Sequence, residues 1–129
     1  WLVPIRDNMY KLQGEDKIKL MELKKDIELV PLSYFRGRTF DKAVCIVDEF
    51  QNLTEKQFEM CLGRLGVGSK IIFCGDFAQC DLVKEKNPYE LVNALVKCNA
   101  IAHGIITVNH RHPVLDQIFK IIEDYRNGN

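Results

Sequence analysis

The sequence predicts an α/β fold, a mostly parallel sheet flanked by helices. Three observations predict it. Ala43-Val44-Cys45-Ile46-Val47 and Lys70-Ile71-Ile72-Phe73-Cys74 are short apolar runs rich in β-branched residues. Such runs fit strands buried on both faces, as in a parallel sheet covered by helices. Apolar residues at helical spacing separate the two runs and follow them, which is the strand-helix alternation of parallel sheets. Each run also ends abruptly in polar residues, Asp48-Glu49 and Gly75-Asp76. Ligands of open α/β sheets bind at that carboxyl edge.

Composition narrows the class. The chain has 129 residues, enough for one domain with a real core, and no internal repeat or long linker divides it. A single domain over residues 1–129 is therefore expected. Lys plus Arg and Asp plus Glu both number 18, so no global positive charge points to nucleic acid, and only a local patch remains open. No apolar run approaches the ~20 residues of a membrane span, and no signal peptide is visible. The five cysteines, Cys45, Cys61, Cys74, Cys80 and Cys98, are odd in number and form no Cys-x-x-Cys pair. Reduced core thiols in a cytoplasmic setting are expected, rather than disulfides or zinc. The chain opens on Trp1 rather than Met, which reads as a piece of a longer protein, or as a processed or engineered chain.

Taken in order, residues 4–25 read as two short helices with a break near Gln13-Gly14. Ile5, Met9 and Leu12 fall at helical spacing. Ile18 and Met21, with Leu20 or Leu23, turn inward, while Lys17, Lys19, Lys24 and Lys25 stay solvated. Glu15 and Lys19 make a favourable i,i+4 pair. Ile27-Glu28-Leu29-Val30 is a short strand candidate ended by Pro31. In Arg36-Gly37-Arg38 the glycine lets backbone approach a ligand, and the guanidinium forks suit phosphate oxygens.

After the first long strand, Thr54-Glu55-Lys56-Gln57 is a capping box. Phe58, Cys61, Leu62 and Leu65 then mark an amphipathic helix, ended by Gly66 and Gly68. Asn87 caps the next helix, with Pro88 at N1 and Glu90 at N3. Leu91, Leu95 and Cys98, with Val92 and Val96, supply its apolar face. Gly104-Ile105-Ile106-Thr107-Val108 is the third long strand candidate. Leu115, Ile118, Phe119, Ile122 and Tyr125 mark a last helix, with Pro113 at or just before its start.

The chemistry gathers at the strand ends. Two adjacent carboxylates are costly there unless a cation or a proton is shared. Mg²⁺ wants oxygen ligands and often takes only one or two from protein. A buried strand ending in Asp48-Glu49 is therefore the Walker B pattern, in which one carboxylate holds the metal and the next positions the attacking water. The second strand delivers Asp76 and Gln79 to the same edge, where a glutamine can sense a phosphate or orient water. Arg111 follows the third strand candidate and can neutralise charge developing on a transferred phosphoryl group. His110 and His112 read as turn or capping groups, since no third ligand accompanies them. Gly63-Arg64-Leu65-Gly66-Val67-Gly68-Ser69-Lys70 looks like a phosphate loop at a glance. Its Ser precedes its Lys, however, and it follows a helix and opens a strand, the reverse of the P-loop context. No other stretch supplies a P-loop.

The ordered set Arg36-Gly37-Arg38-Thr39, Asp48-Glu49-Phe50-Gln51-Asn52, Gly75-Asp76-Phe77-Ala78-Gln79-Cys80-Asp81-Leu82 and Arg111-His112-Pro113 resembles the PhoH family. These are predicted ATPases related to the RecA-like motor core of superfamily 1 helicases. The similarity spans almost the whole chain, including its Trp1-Leu2-Val3-Pro4 opening and the Gly66-Val67-Gly68-Ser69-Lys70 turn. The Asp-Glu-x-Gln and Gly-Asp-x-x-Gln pair also looks like helicase motifs II and III. The resemblance implies a partial P-loop NTPase (RecA-like) core that works with ATP and Mg²⁺. It puts Asp48 on the metal, Glu49 as general base and Gln79 on the γ-phosphate side, with Asp76 in the nucleotide site. Arg111 would act like an arginine finger, and Arg36 and Arg38 would bind phosphate of nucleotide or RNA. The resemblance further implies RNA or single-stranded nucleic acid as a partner, and a ring-forming homo-oligomer of the full-length protein.

The family's Walker A loop and its strand lie upstream of the segments matched here. A phosphate cradle needs its backbone N–H nest and its lysine. The expectation is that the full-length protein is an ATPase and that this chain alone is not. In the family's sheet the Walker A strand lies between the Gly-Asp strand and the last strand. Here those two strands are expected to pair directly, leave a gap or recruit a second chain, since an unpaired apolar edge favours association. Two readings compete with the ATPase. One is a non-catalytic RNA- or protein-binding module. The other is a receiver-like Mg²⁺ domain using Asp48 and Asp76, weakened because it needs a lysine where Arg111 stands.

Overall fold

The structure is a computed structural model and describes residues 2–82, 86–107, 113–126 and 128. The chain falls into two compact units, Trp1–Leu95 and Val96–Asn129.

The first unit opens with α1 (Val3–Gln13) and α2 (Glu15–Leu23), which meet at Gly14. Pro4 sits in the first turn of α1, where a missing N–H breaks no helical bond. Arg6 Nε pairs with Glu22 Oε1 at 3.1 Å and ties the two helices together, and Ile18 of α2 is buried. Leu12, Leu20 and Leu23 are exposed, so the periodicity of this segment overstates its buried face. The strand expected at 27–30 is absent. Asp26 and Ile27 donate their N–H groups to Met21 O, at 2.9 and 3.4 Å, which folds the segment back onto α2 instead of into a ladder. A 3-10 turn, Leu32–Tyr34, follows Pro31.

β1 (Val44–Val47) and β2 (Lys70–Phe73) form a parallel two-stranded sheet, with Val44 opposite Lys70 and Val47 opposite Phe73. The crossover between them carries α3 (Glu55–Leu62). Its capping box forms as expected. Thr54 Oγ1 accepts from Gln57 N at 3.3 Å, and Gln57 Oε1 accepts from Thr54 N at 2.8 Å. The helix stops earlier than the glycine pattern suggests, with Gly63 rather than Gly66 as its C-cap. α4 (Tyr89–Lys97) starts where Asn87 Oδ1 accepts from Tyr89 N at 3.0 Å, and it brings Leu91, Val92 and Leu95 to the core.

That core lies on one face of the sheet. Val47 joins Phe35, Phe50, Leu53, Phe58 and Cys61, and Ile71 and Phe73 pack against them. The rings of Phe58 and Phe73 are 4.5 Å apart, and those of Phe50 and Phe73 are 5.7 Å apart. Side chains alternate along a strand, so Val44, Ile46 and Ile72 point the other way, and they are 64%, 66% and 47% exposed. The expectation of strands buried on both faces is thus corrected. Among the described residues the packed elements cover one side.

In the second unit, α5 (Pro113–Arg126) forms where the last periodicity places it. The third strand expected at 104–108 makes no ladder among the described residues. Ile105 and Ile106 are 76% and 93% exposed, and Val108 lies outside the described residues. β-branched residues favour a strand only against a neighbour that accepts their packing. Among the described residues no helix is long and apolar enough to cross a membrane. All five cysteines are free, and only Cys61 is fully buried, while Cys74 and Cys98 are exposed. Burial, followed by the neighbouring Cys45, pushes the Cys61 thiol up to about 11.

Candidate functional site

The parallel register sets the two strand ends side by side. Past the last pair, Val47 with Phe73, Cys74 N donates to Val47 O at 2.8 Å and Phe50 N donates to Cys74 O at 3.1 Å. Between those two bonds the chain turns at Asp48 and Glu49, both of them exposed. Glu49 takes a left-handed conformation, φ 55° and ψ 36°. For a residue with a long side chain that conformation costs about 1–3 kcal/mol and persists only where the surroundings enforce it. Here it reverses the chain into a 3-10 turn, Phe50–Asn52, which Asn52 N closes onto Glu49 O at 3.0 Å. Phe50 is thereby driven into the core, and Asp48 Oδ1 accepts from Glu49 N at 3.1 Å.

The residue that joins the two ends is Gln51, which is only 1% exposed. Its Nε2 donates to Glu49 Oε2 at 2.6 Å, and its Oε1 accepts from Asp76 N at 3.1 Å. The amide orientation is forced, because an ionised carboxylate only accepts and a backbone N–H only donates. Gln51 O accepts from Cys80 Sγ at 3.2 Å, and Asn52 Oδ1 accepts from Asp81 N at 2.7 Å. Gly75 makes the close approach possible. A Cβ there would overlap Gln51 Oε1 and fall 2.8 Å from Phe50 Cδ1. Asp76 caps the turn Phe77–Gln79, with Oδ1 accepting from Ala78 N at 2.9 Å and Oδ2 from Gln79 Nε2 at 2.9 Å.

Among the residues singled out in the sequence, Asp48, Glu49, Asp76 and Gln79 therefore share one edge. Glu49, Asp76 and Gln79 are linked in a chain of hydrogen bonds through Gln51. Arg36 and Arg38 stand apart from that chain. Arg38 Nη2 pairs with Glu28 Oε2 at 2.9 Å, and its guanidinium lies 4.7 Å from the Phe40 ring centroid. It lines an open cleft of about 560 Å³ with Arg6, Glu22, Lys25, Ile27, Glu28 and Leu29. Arg36 is exposed. Arg111, His110 and His112 lie outside the described residues. Sequence reasoning placed Gln51 in the Asp-Glu-x-Gln pattern but gave it no role and did not foresee its burial. A signal was Gly75, a glycine at a strand end, which marks a place where another group comes close.

The phosphate-loop look-alike is a structural joint at the other end of the sheet. Gly66 N donates to Phe40 O at 2.8 Å, Val67 N to Asp41 Oδ1 at 2.9 Å and Lys70 N to Ala43 O at 2.9 Å. Ser69 Oγ donates to Phe40 O at 2.6 Å and accepts from Ala43 N at 2.9 Å.

The sequence of the chain matches a known family. The model of the family described as PhoH-like protein matches residues 1–124. A PhoH-like protein of Bacillus subtilis is 36% identical, over 100% of this chain and 41% of that protein. A PhoH-like protein of Synechocystis sp. is 36% identical over 98% of this chain and 40% of that protein. Protein PhoH of Escherichia coli K12 is 52% identical over 43% of this chain and 16% of that protein. The chain spans about two fifths of the length of the first two relatives.

Proposed function

The chain belongs to the PhoH-like protein family, and on that premise we propose that it is the Walker B side of an ATP-hydrolysing core. One observation supports this most. The in-register pairing of β1 with β2 puts Asp48, Glu49 and the turn of Asp76 and Gln79 on one edge, held together by Gln51.

The donor set fits Mg²⁺. Asp48 and Glu49 offer exposed carboxylate oxygens, and one or two such ligands are what Mg²⁺ takes from protein. Asp48 is the residue to hold it. Bound with ATP, Mg²⁺ supplies neutralising charge to the phosphate oxygens. Glu49 takes a proton from the attacking water. Gln79, whose Nε2 donates to Asp76 Oδ2 at 2.9 Å, is the residue that would sense the γ-phosphate. Arg36 and Arg38, which stand apart from this edge, are the candidates to bind phosphate of nucleotide or RNA, and Arg111 offsets charge on the group in flight. The described residues offer no obvious nest for the phosphates, since the turn at 66–70 already uses four of its donors on residues 40–43. On this reading the phosphate loop is the upstream Walker A segment that the family resemblance implies. The five free thiols fit a reducing, cytoplasmic setting.

The test is steady-state ATP hydrolysis by the protein extended upstream to the length of its relatives. Activity is expected, and Glu49→Gln should lower kcat by about a hundredfold or more. An unchanged kcat in Glu49→Gln sinks the assignment.

The cleft beside Arg38 favours a second reading, a surface for the backbone of RNA. Three cations, Arg6, Lys25 and Arg38, line it with two carboxylates; Arg6 pairs with Glu22 and Arg38 with Glu28, so Lys25 carries the net positive charge. Paired Arg36→Ala and Arg38→Ala substitutions should weaken RNA binding and flatten its salt dependence. Binding that is unaltered at every salt concentration removes this reading.

A further inference from the structure

We infer that Gln51 is a positioning residue for hydrolysis, its buried amide fixing the Glu49 carboxylate and the turn at 75–79 as one piece. The inference rests on the ATP-hydrolysing reading of this edge and adds a residue to which that reading gives no chemical role.

A buried primary amide is unfavourable unless both of its ends are bonded. In Gln51 each end meets a different strand end. The donor end holds Glu49 Oε2 at 2.6 Å. The acceptor end holds Asp76 N at 3.1 Å, and Asp76 in turn holds the Gln79 amide at 2.9 Å. A base must keep its oxygen within hydrogen-bond reach of the water it deprotonates. An exposed glutamate on a left-handed backbone would otherwise sample many rotamers. Gln51 restrains one carboxylate oxygen and leaves Oε1 without a hydrogen-bond partner among the described residues, hence available to water. Because the same amide holds Asp76 N, any shift of the turn at 75–79 reaches the base through a single side chain. Gly75 belongs to the device, since a Cβ at that position displaces the Gln51 oxygen.

The experiment uses the protein extended to the length of its relatives, with kcat and Mg-ATP affinity measured separately. Gln51→Glu keeps an acceptor for Asp76 N and loses the donor to Glu49. Gly75→Ala displaces the same amide from the opposite side and serves if Gln51→Glu does not fold. In each, kcat should fall about tenfold to a hundredfold, the usual effect of removing an outer-shell partner, while the Kd for Mg-ATP stays within about threefold. An unchanged kcat overturns the inference. So does a parallel fall of kcat, affinity and Tm, which is the signature of a merely structural residue. A parent protein that does not hydrolyse ATP overturns the underlying reading and the inference with it. An active parent with an unaffected Gln51→Glu overturns the inference alone.

Discussion

The two turns that flank β2 both carry glycines, and they use their hydrogen bonds in opposite ways. At the amino end, Gly66, Val67, Ser69 and Lys70 direct their donors to residues 40–43, largely to backbone carbonyls. At the carboxyl end, the turn from Gly75 to Asp81 is held by the Gln51 side chain, the Gln51 carbonyl and the Asn52 side chain. The amino-end joint combines backbone bonds with the side chains of Asp41 and Ser69, and its donors are spent within the fold. A joint made of side chains depends on particular ones, and it leaves the carboxylates of Asp48 and Glu49 exposed beside it. The comparison teaches that a glycine-rich turn is told apart by what its N–H groups have left to bind, more than by its spelling.

The largest expected effect comes from the core that both ends share. Phe58 is 1% exposed and lies under β2 with Phe73 and Phe50. Phe58→Ala should cost about 3–5 kcal/mol in denaturant unfolding and loosen both turns in amide exchange. Loosening of one turn alone would show that the two ends do not rest on a common core.

Next in size is the amino-end joint by itself. A Cβ on Gly66 would overlap the Asp41 carboxylate and lie 2.8 Å from Phe40 O. Gly66→Ala should cost about 1–3 kcal/mol as an overpacking change and, in the extended protein, leave the kcat of the remaining folded molecules unaltered. Gly75→Ala differs by striking kcat. Equal effects of the two substitutions on kcat would erase the distinction between the ends.

The smallest effect is a pH dependence. The Cys61 thiol is pushed from 9.0 to about 11 chiefly by burial. Because the folded state holds this proton more tightly than the unfolded chain, the thiol's contribution to stability is full below pH 9 and is lost as pH rises through 11. Cys61→Ala should flatten that decline. In mass spectrometry, exposed Cys74 and Cys98 should alkylate well before Cys61. Early modification of Cys61 would contradict its place in the core.

Much of the first unit was legible because local chemistry and tertiary packing agree there. The runs at 44–47 and 70–73 are β-branched and do pair, Thr54 with Gln57 makes its capping box, and Asn87 caps the next helix. The runs at 27–30 and 104–108 carry similar local patterns but form no ladder among the described residues, because composition does not encode a pairing partner. The open side of the sheet was illegible for a related reason. A continuous apolar run reads as burial on both faces, whether or not a second layer is packed there. At the site, the carboxylates at the strand ends were legible from position alone. Gln51 was legible as part of the Asp-Glu-x-Gln pattern, but its burial and its two bonds were not, since they depend on Gly75 lying against it.

The central claim is that the edge at Asp48 and Glu49 is the metal-binding half of a nucleotide site. Isothermal titration of Mg-ATP tests it most directly, in the protein extended upstream to the length of its relatives and in its Asp48→Asn variant. The claim predicts saturable binding by the first and affinity at least about tenfold weaker in the second. Equal affinity in both, or no binding by either, contradicts it.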